Sequence, residues 1–572
     1  MASQTPGLGP DEGLEITDFN EVAATELERS AGLAGVRSGA AAAAELLQRA
    51  AERTPDATRR GRRALNAAGA RLESGGLDGA RELLAMASTC PLGDADRAEL
   101  AHLRARFEFA IRRGVDAPPQ LLRAAEMFES CDPDRAREGY LDALGATIYA
   151  GRLHYGAGPV EVAAAARRGA PPGTTSRPTD LLLNALVCRL TDGYIDSVEL
   201  LQQALTQFTA QGAVDPDDFV RWFWLPWLIA ADLWDEESWR LIADRAVDLV
   251  RATDATVALP LALGYRAFVL LHRGEFAAAA ELATEAEATA AATGSAPVRY
   301  PSLVLAAWRG DDPDGLQARF CRELADLTAR GEARGIGGAA YATALLHNGL
   351  GRHEAALAAA RVACEYDDLG MLGLSLLELV EAAVRTGARD EAASAMRQLQ
   401  ERTNVAATDW ALGVGAWADA LLAEDEDAEP LYLEAIRRLS RCQAVVHLGR
   451  AHLAYGEWLV RNNHRRDARI QLTRAECIFR EVGAQAFAER ARRELVGARA
   501  ALRLVPDEAP SPTTCQEVEI AQVAGDDLTA VQAGSALYLS RHTVEWYMKK
   551  SFARLGIVLG GDGAGSENPD VS

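Results

Sequence analysis

The chain has 572 residues, 49% hydrophobic and 25% charged, the balance of an ordinary folded protein. Its 60 Lys+Arg stand against 82 Asp+Glu, a net charge of −22, so contact with nucleic acid or an anionic membrane needs a local basic patch. The longest apolar runs, such as Trp222–Ala231, are about ten residues long, and a membrane span takes about 20.

Residues 1–20, rich in Gly, Pro and acids, read as a disordered lead-in. They carry no basic start and no apolar stretch of a secretory signal, so a cytoplasmic location is expected. From Glu21 to Arg503 Ala, Leu, Glu and Arg dominate, all strong helix formers, with no sustained β-branched alternation. The expectation is an all-α domain over 21–503.

Tight turns recur through this region at Gly76, Gly114, Gly151, Gly193, Trp234, Gly274, Gly310, Gly351, Gly387, Asp425 and Asn463, in steps of 36–42 residues. Two helices of roughly 13–15 residues and their turns fill such a step, slightly more than a tetratricopeptide repeat. One hairpin cannot bury its apolar face alone, so the hairpins are expected to stack into a TPR-like solenoid with an effector or protein partner on its concave face. Five of the ten Trp fall within Trp222–Trp239, around Phe219-Val220-Arg221-Trp222-Phe223-Trp224-Leu225-Pro226-Trp227. That segment reads either as an aromatic groove for a small ligand or as a bulky core patch.

Catalytic signatures are missing from the pattern. The only lysines are Lys549 and Lys550, so no phosphate-loop lysine precedes residue 549, and no ATP binding is expected. The eight Cys are scattered without a CxxC pair, and His447 and His452 lie five apart rather than at the i, i+4 spacing of a metal helix. Buried free thiols, no metal, no cofactor and no enzymatic activity are expected.

At 504–513 three prolines mark a linker. Three short helices fit 514–557, and 558–572 reads as a disordered, Gly-rich tail. In the third helix Val544, Met548, Phe552 and Leu555 form one apolar stripe. Ser540 caps this helix, and Arg541, His542, Glu545, Trp546, Lys549 and Lys550 share the opposite face, the layout of a helix-turn-helix whose second helix enters the major groove.

The run Leu537-Tyr538-Leu539-Ser540-Arg541-His542-Thr543-Val544-Glu545-Trp546 through Lys549-Lys550-Ser551-Phe552-Ala553-Arg554-Leu555-Gly556-Ile557 resembles the LuxR-type signature LFxSxxTVExHxxxxFxKLGI. Upstream, Ala363–Gly370, Thr408–Gly413, Ala451–Leu459, Arg465–Arg469 and Ala486–Leu495 resemble the last repeats of the large ATP-binding LuxR-type regulators of actinobacteria. The resemblance implies a relative without the N-terminal ATPase module that binds double-stranded DNA; because one small domain binds weakly, a homodimer on a two-fold site is expected. It places Glu545, Trp546 and Lys549 at base edges and Arg541, Thr543 and Lys550 at phosphates. The same stretch departs from the family at Asp527, Ala533, Gly534 and Tyr547, and 513–557 holds four basic against five acidic residues. The alternative is therefore an interaction scaffold whose helix-turn-helix no longer binds DNA.

Overall fold

The computed structural model describes residues 20–38, 40–170 and 177–500, and among them every regular element is helical. The linker, the helix-turn-helix unit and the tail expected beyond residue 503 lie outside the described residues, as does the lead-in 1–19.

The chain opens with α1 (Glu21–Ser38), α2 (Ala40–Arg53), α3 (Ala57–Glu73) and α4 (Leu77–Ser88). There follow α5 (Asp94–Arg112), α6 (Pro118–Phe128), α7 (Pro133–Ala150), α8 (Pro159–Gly169), α9 (Pro178–Thr191) and α10 (Tyr194–Thr209). The Trp-rich segment forms the short α11 (Pro216–Trp222) and α12 (Trp224–Asp232), before α13 (Glu236–Thr253), α14 (Leu259–His272), α15 (Phe276–Thr293), α16 (Tyr300–Arg309) and α17 (Pro313–Arg330). The remainder are α18 (Ala333–Leu350), α19 (His353–Cys364), α20 (Leu372–Thr386), α21 (Arg389–Ala406), α22 (Asp409–Leu422), α23 (Asp425–Leu439), α24 (Val445–Arg461), α25 (Arg465–Val482) and α26 (Gln485–Ala500).

Eleven hairpins run from α3/α4 to α24/α25, and each of the eleven turns anticipated from sequence falls at the junction within one hairpin. Helix starts carry the caps their sequences offer: Asp56, Asp132, Asp235, Asp312 and Thr408 each accept a backbone N–H of the first turn.

The two helices of a hairpin differ in what they bury. Outer helices such as α15 bury one stripe, Phe276, Ala279, Ala283, Ala286 and Ala290, and give the opposite face to water. Inner helices are packed nearly all round: in α12 every residue is buried, and in α18 all but Thr343 and Leu350 are. The reason is that the coil closes on itself. Thr256 Oγ1 donates to the Ser74 carbonyl at 2.9 Å, Tyr194 OH to the Arg402 carbonyl at 3.4 Å, Thr408 Oγ1 to the Trp234 carbonyl at 2.9 Å and Arg490 Nη1 to the Asn348 carbonyl at 2.9 Å. Partners in these bonds are 142 to 208 residues apart in the chain, several hairpins on.

Two glycines mark the closure. A Cβ on Gly114 would stand 1.9 Å from the Arg330 carbonyl oxygen, and one on Gly274, whose φ is +78°, would stand 2.4 Å from Val482. Neighbouring turns of the coil thus bury the inner helices against each other. The six cysteines seen as free thiols, 90, 131, 188, 321, 364 and 442, are half-buried or exposed rather than fully buried as expected; Cys131 and Cys321 are exposed, while Cys364 and Cys442 pack against the edge of the core.

Candidate functional site

Inside the N-terminal half of the coil the packing leaves a cavity of about 210 Å³. One face of α5 forms its floor: Arg106, Phe109, Ala110 and Arg113 recur at i, i+3, i+4 and i+7. Arg113 caps that helix with φ +49°, an uncommon conformation for a side-chain-bearing residue. Its Nη2 donates to the carbonyls of Ala296 at 2.6 Å and Pro297 at 2.5 Å, which holds it there.

Across the cavity stand Val220 and Arg221 of α11, then Phe223 and Trp224, with Leu121, Val257 and Leu261 completing apolar walls. Trp224 packs edge-on against Tyr149 at 5.4 Å and tilts over Phe109 at 6.2 Å. It fits only because position 145 is glycine: a Cβ there would lie 2.2 Å from the indole ring.

The charged groups divide by depth. Asp142 of α7 is nearly buried and fully engaged, accepting from Trp222 Nε1 at 2.8 Å and Arg221 Nη2 at 2.6 Å, with His102 Nε2 at 2.8 Å. Burial opposes its charge, but Arg221 and the His102 hydrogen bond hold its carboxyl well below the usual range. Burial also lowers the basicity of His102, against the pull of Asp142, which favours a neutral imidazole. Arg221 is shared further with Glu138 at 3.1 Å and stacks on the Trp222 ring at 4.1 Å, yet its buried Nε has no hydrogen-bond partner among the described residues.

Arg106 is the under-used cation. Its nearest carboxylate is Glu73, 3.7 Å away and 56% exposed, too far for a hydrogen bond. Burial and the facing Arg221 lower its proton affinity. Glu73 and Asp217 sit at the mouth; burial, then the Asp215 and Glu73 charges, raise the Asp217 carboxyl.

Of the Trp segment, Trp222, Trp227, Trp234 and Trp239 are core: Trp227 stacks on Tyr265 at 3.9 Å and Trp234 meets Trp410 edge-on at 5.0 Å. The core-patch reading therefore describes most of the segment, and of its aromatic residues Phe223 and Trp224 reach the cavity, beside Val220 and Arg221. His447 and His452 are buried in α24, where His447 Nδ1 accepts from Trp410 Nε1 at 2.8 Å and His452 pairs with Gln471 at 2.7 Å. The predicted DNA-contact residues Ser540, Arg541, His542, Thr543, Glu545, Trp546, Lys549 and Lys550 lie outside the described residues. Sequence reasoning passed over Arg106, His102 and Asp142. The available signal was the α5 spacing 106, 109, 110, 113, which mixes arginine and aromatic on one face.

Among the described residues no group of His, Cys, Asp and Glu is arranged to hold a metal, and no helix is long and apolar enough to cross a membrane. No family model matches the sequence, and no curated protein matches it. Among solved structures, the apo form of RapI is matched at 10% identity over 78% of this chain and 98% of that one, with a TM-score of 0.26. Yeast Tom70 is matched at 12% identity over 85% of this chain and 97% of that one, TM-score 0.25. A circular tandem repeat protein is matched at 14% identity over 85% and 98%, TM-score 0.14. At these TM-scores nothing is carried from those proteins to this one.

Proposed function

We propose that this chain is a DNA-binding regulator in which 514–557 acts as a LuxR-type helix-turn-helix and the repeat body is the effector-binding part. Charge allocation supports this reading best. In the repeat body Arg63, Arg137, Arg189, Arg402, Arg450 and Arg490 are buried and each pairs with a carboxylate of the same body. These guanidinium groups are thereby removed from any role at phosphates. The chain's two lysines instead fall side by side on the predicted recognition helix. In this reading Glu545, Trp546 and Lys549 meet base edges, Arg541, Thr543 and Lys550 meet phosphates, Ser540 caps the helix beside His542, and two copies bind a two-fold site.

The test is a gel shift of the full chain on duplex DNA across a salt series. Retardation that weakens with salt is expected, with a slope flattened by about one unit in Lys550→Ala, since one phosphate contact is removed. Lys549→Ala should lose roughly 1–3 kcal/mol of sequence preference. No retardation at low salt would replace this reading with the interaction scaffold, which the excess of acids in 513–557 favours.

A further inference from the structure

The cavity between α5, α7, α11 and α12 has a definite chemical preference. Its walls are apolar and aromatic, which suits a hydrocarbon body of small size. Its polar groups are unbalanced. Asp142 is saturated by three donors, Arg221 is neutralised by Asp142 and Glu138, and Arg113 faces Glu332 at 3.6 Å. Arg106 is left with no hydrogen-bonded carboxylate, only the exposed Glu73 at 3.7 Å, and the Nε of Arg221 is unpartnered among the described residues.

We infer that the cavity binds a small amphipathic monocarboxylate, its carboxylate on Arg106 and its apolar body against Phe109, Phe223 and Trp224. A guanidinium offers a carboxylate two parallel hydrogen bonds, and a partly buried charge gains more from them than an exposed one. A single negative charge is specified on two grounds. Only Arg106 among the lining arginines lacks a hydrogen-bonded acceptor, and Glu73 and Asp217 at the mouth repel a dianion such as phosphate more than a monoanion. The inference rests on the reading of the repeat body as the effector-binding part, and it does not depend on DNA binding.

Isothermal titration of the full chain decides it, with 3-phenylpropionate as probe and 3-phenylpropionamide, 3-phenylpropylamine and inorganic phosphate as controls. Saturable binding of the carboxylate is expected, at least about tenfold tighter than the amide, because the amide keeps the body and loses the charge-assisted hydrogen bonds. Arg106→Ala should weaken the carboxylate about tenfold or more and leave the amide unchanged, while Arg106→Lys recovers part of the loss. Glu73→Gln should tighten binding, since it removes the competing carboxylate, an effect that mere damage to the fold cannot produce. Circular dichroism of each variant confirms that the helices persist. Equal affinity for the amide, the amine or phosphate overturns the inference, and so does an absence of binding at millimolar carboxylate. The gel shift answers separately. A chain that binds the carboxylate but no DNA keeps this site and loses the regulator reading; one that binds DNA but no carboxylate does the reverse.

Discussion

The interior of the coil is charged at both ends, but the two ends resolve their charges differently. In the C-terminal half Arg450 lies between Glu378 and Glu381, at 2.9 Å and 2.6 Å through Nη2. Arg490 continues the row from Glu381 at 2.7 Å to Glu457 at 2.7 Å, and Glu457 also accepts from Arg385. Carboxylate and guanidinium alternate, Asn348 Nδ2 donates to Glu378 at 2.9 Å, and the guanidinium of Arg450 stacks on Trp417 at 4.9 Å. In the N-terminal half Arg221 is held by Asp142 and Glu138, Arg113 faces Glu332 at 3.6 Å and Arg106 has only the exposed Glu73 at 3.7 Å, and a cavity remains. Long charged side chains fill the interior where they pair closely, and where Arg106 finds only a distant, exposed carboxylate, space is left.

The largest test of this contrast is Arg450→Ala. It leaves Glu378 and Glu381 buried without their shared cation, and breaking such a pair costs about 3–5 kcal/mol. Urea unfolding should show this loss in the transition of the C-terminal hairpins, while Arg106→Ala, at the incomplete end, should change stability far less. Equal losses would erase the distinction.

A second test lies where the turns meet. Glu332 is fully buried, with Arg330 Nη1 on one oxygen at 2.6 Å, and burial raises its carboxyl to about 7 against the pull of Arg113 and Arg334. Burial likewise raises Asp368 to about 7. For a group whose folded value is raised, the stabilisation is complete below the unfolded value, near 4.5 for Glu332, and is lost as pH climbs to about 7. Glu332→Gln, neutral at every pH, should exceed the wild type by on the order of 2–3 kcal/mol at pH 8 and lose most of that margin at pH 5. The wild-type profile alone does not isolate this term. His272 and His452, lowered by burial to about 4, lose stability as pH falls from 6.5 toward 4. The difference between variant and wild type removes the histidines. A margin that does not change with pH would mean Glu332 keeps its charge.

Gly145→Ala tests the cavity wall. The new methyl would overlap the Trp224 ring, and the space open to that ring lies toward the cavity. An overpacking cost of about 1–3 kcal/mol is expected, together with altered Trp fluorescence. A change in stability with no change in fluorescence would place the adjustment in α7 instead.

Much of this arrangement is written locally. The hairpin turns announce themselves through Gly193, Gly274, Gly310, Gly351 and Gly387, all at positive φ, and Asn463 takes the same conformation at +61°. Helix caps at Asp132 and Asp312 are equally local. What cannot be read locally is pitch. Whether a solenoid leaves an open groove or closes depends on small rotations summed over several hairpins, and here that sum brings Ser74 to Thr256. Closure in turn decides which charges face inward. Glu457 and Arg490 look like ordinary surface residues of Arg- and Glu-rich helices, and their pairing across 33 residues emerges only when the inner helices meet. Arg221 stood inside the Trp segment, but its partner Asp142 comes from a hairpin 79 residues earlier.

The smallest effect should come from Ala110→Leu, and it carries the opposite sign. Ala110 lines the cavity from the middle of the α5 face, between Arg106 and Arg113. Its backbone carbonyl accepts the Ala296 N–H at 3.1 Å, a bond the side chain does not disturb. Leucine keeps high helix propensity, so the helix itself bears almost no cost. The added methylenes enter space already bounded by Phe223, Trp224 and Leu261, where burial favours them; filling a cavity of this kind yields about 0.5–2 kcal/mol, and the lower end is expected because the walls also carry arginine. The same change should abolish carboxylate binding, since the body of the ligand and the leucine compete for one volume. Stabilisation with lost binding identifies a true void that a ligand can fill. Destabilisation like that of Gly145→Ala would show instead that the N-terminal interior is as tightly packed as the C-terminal one, and that the two halves of the coil differ in charge but not in space.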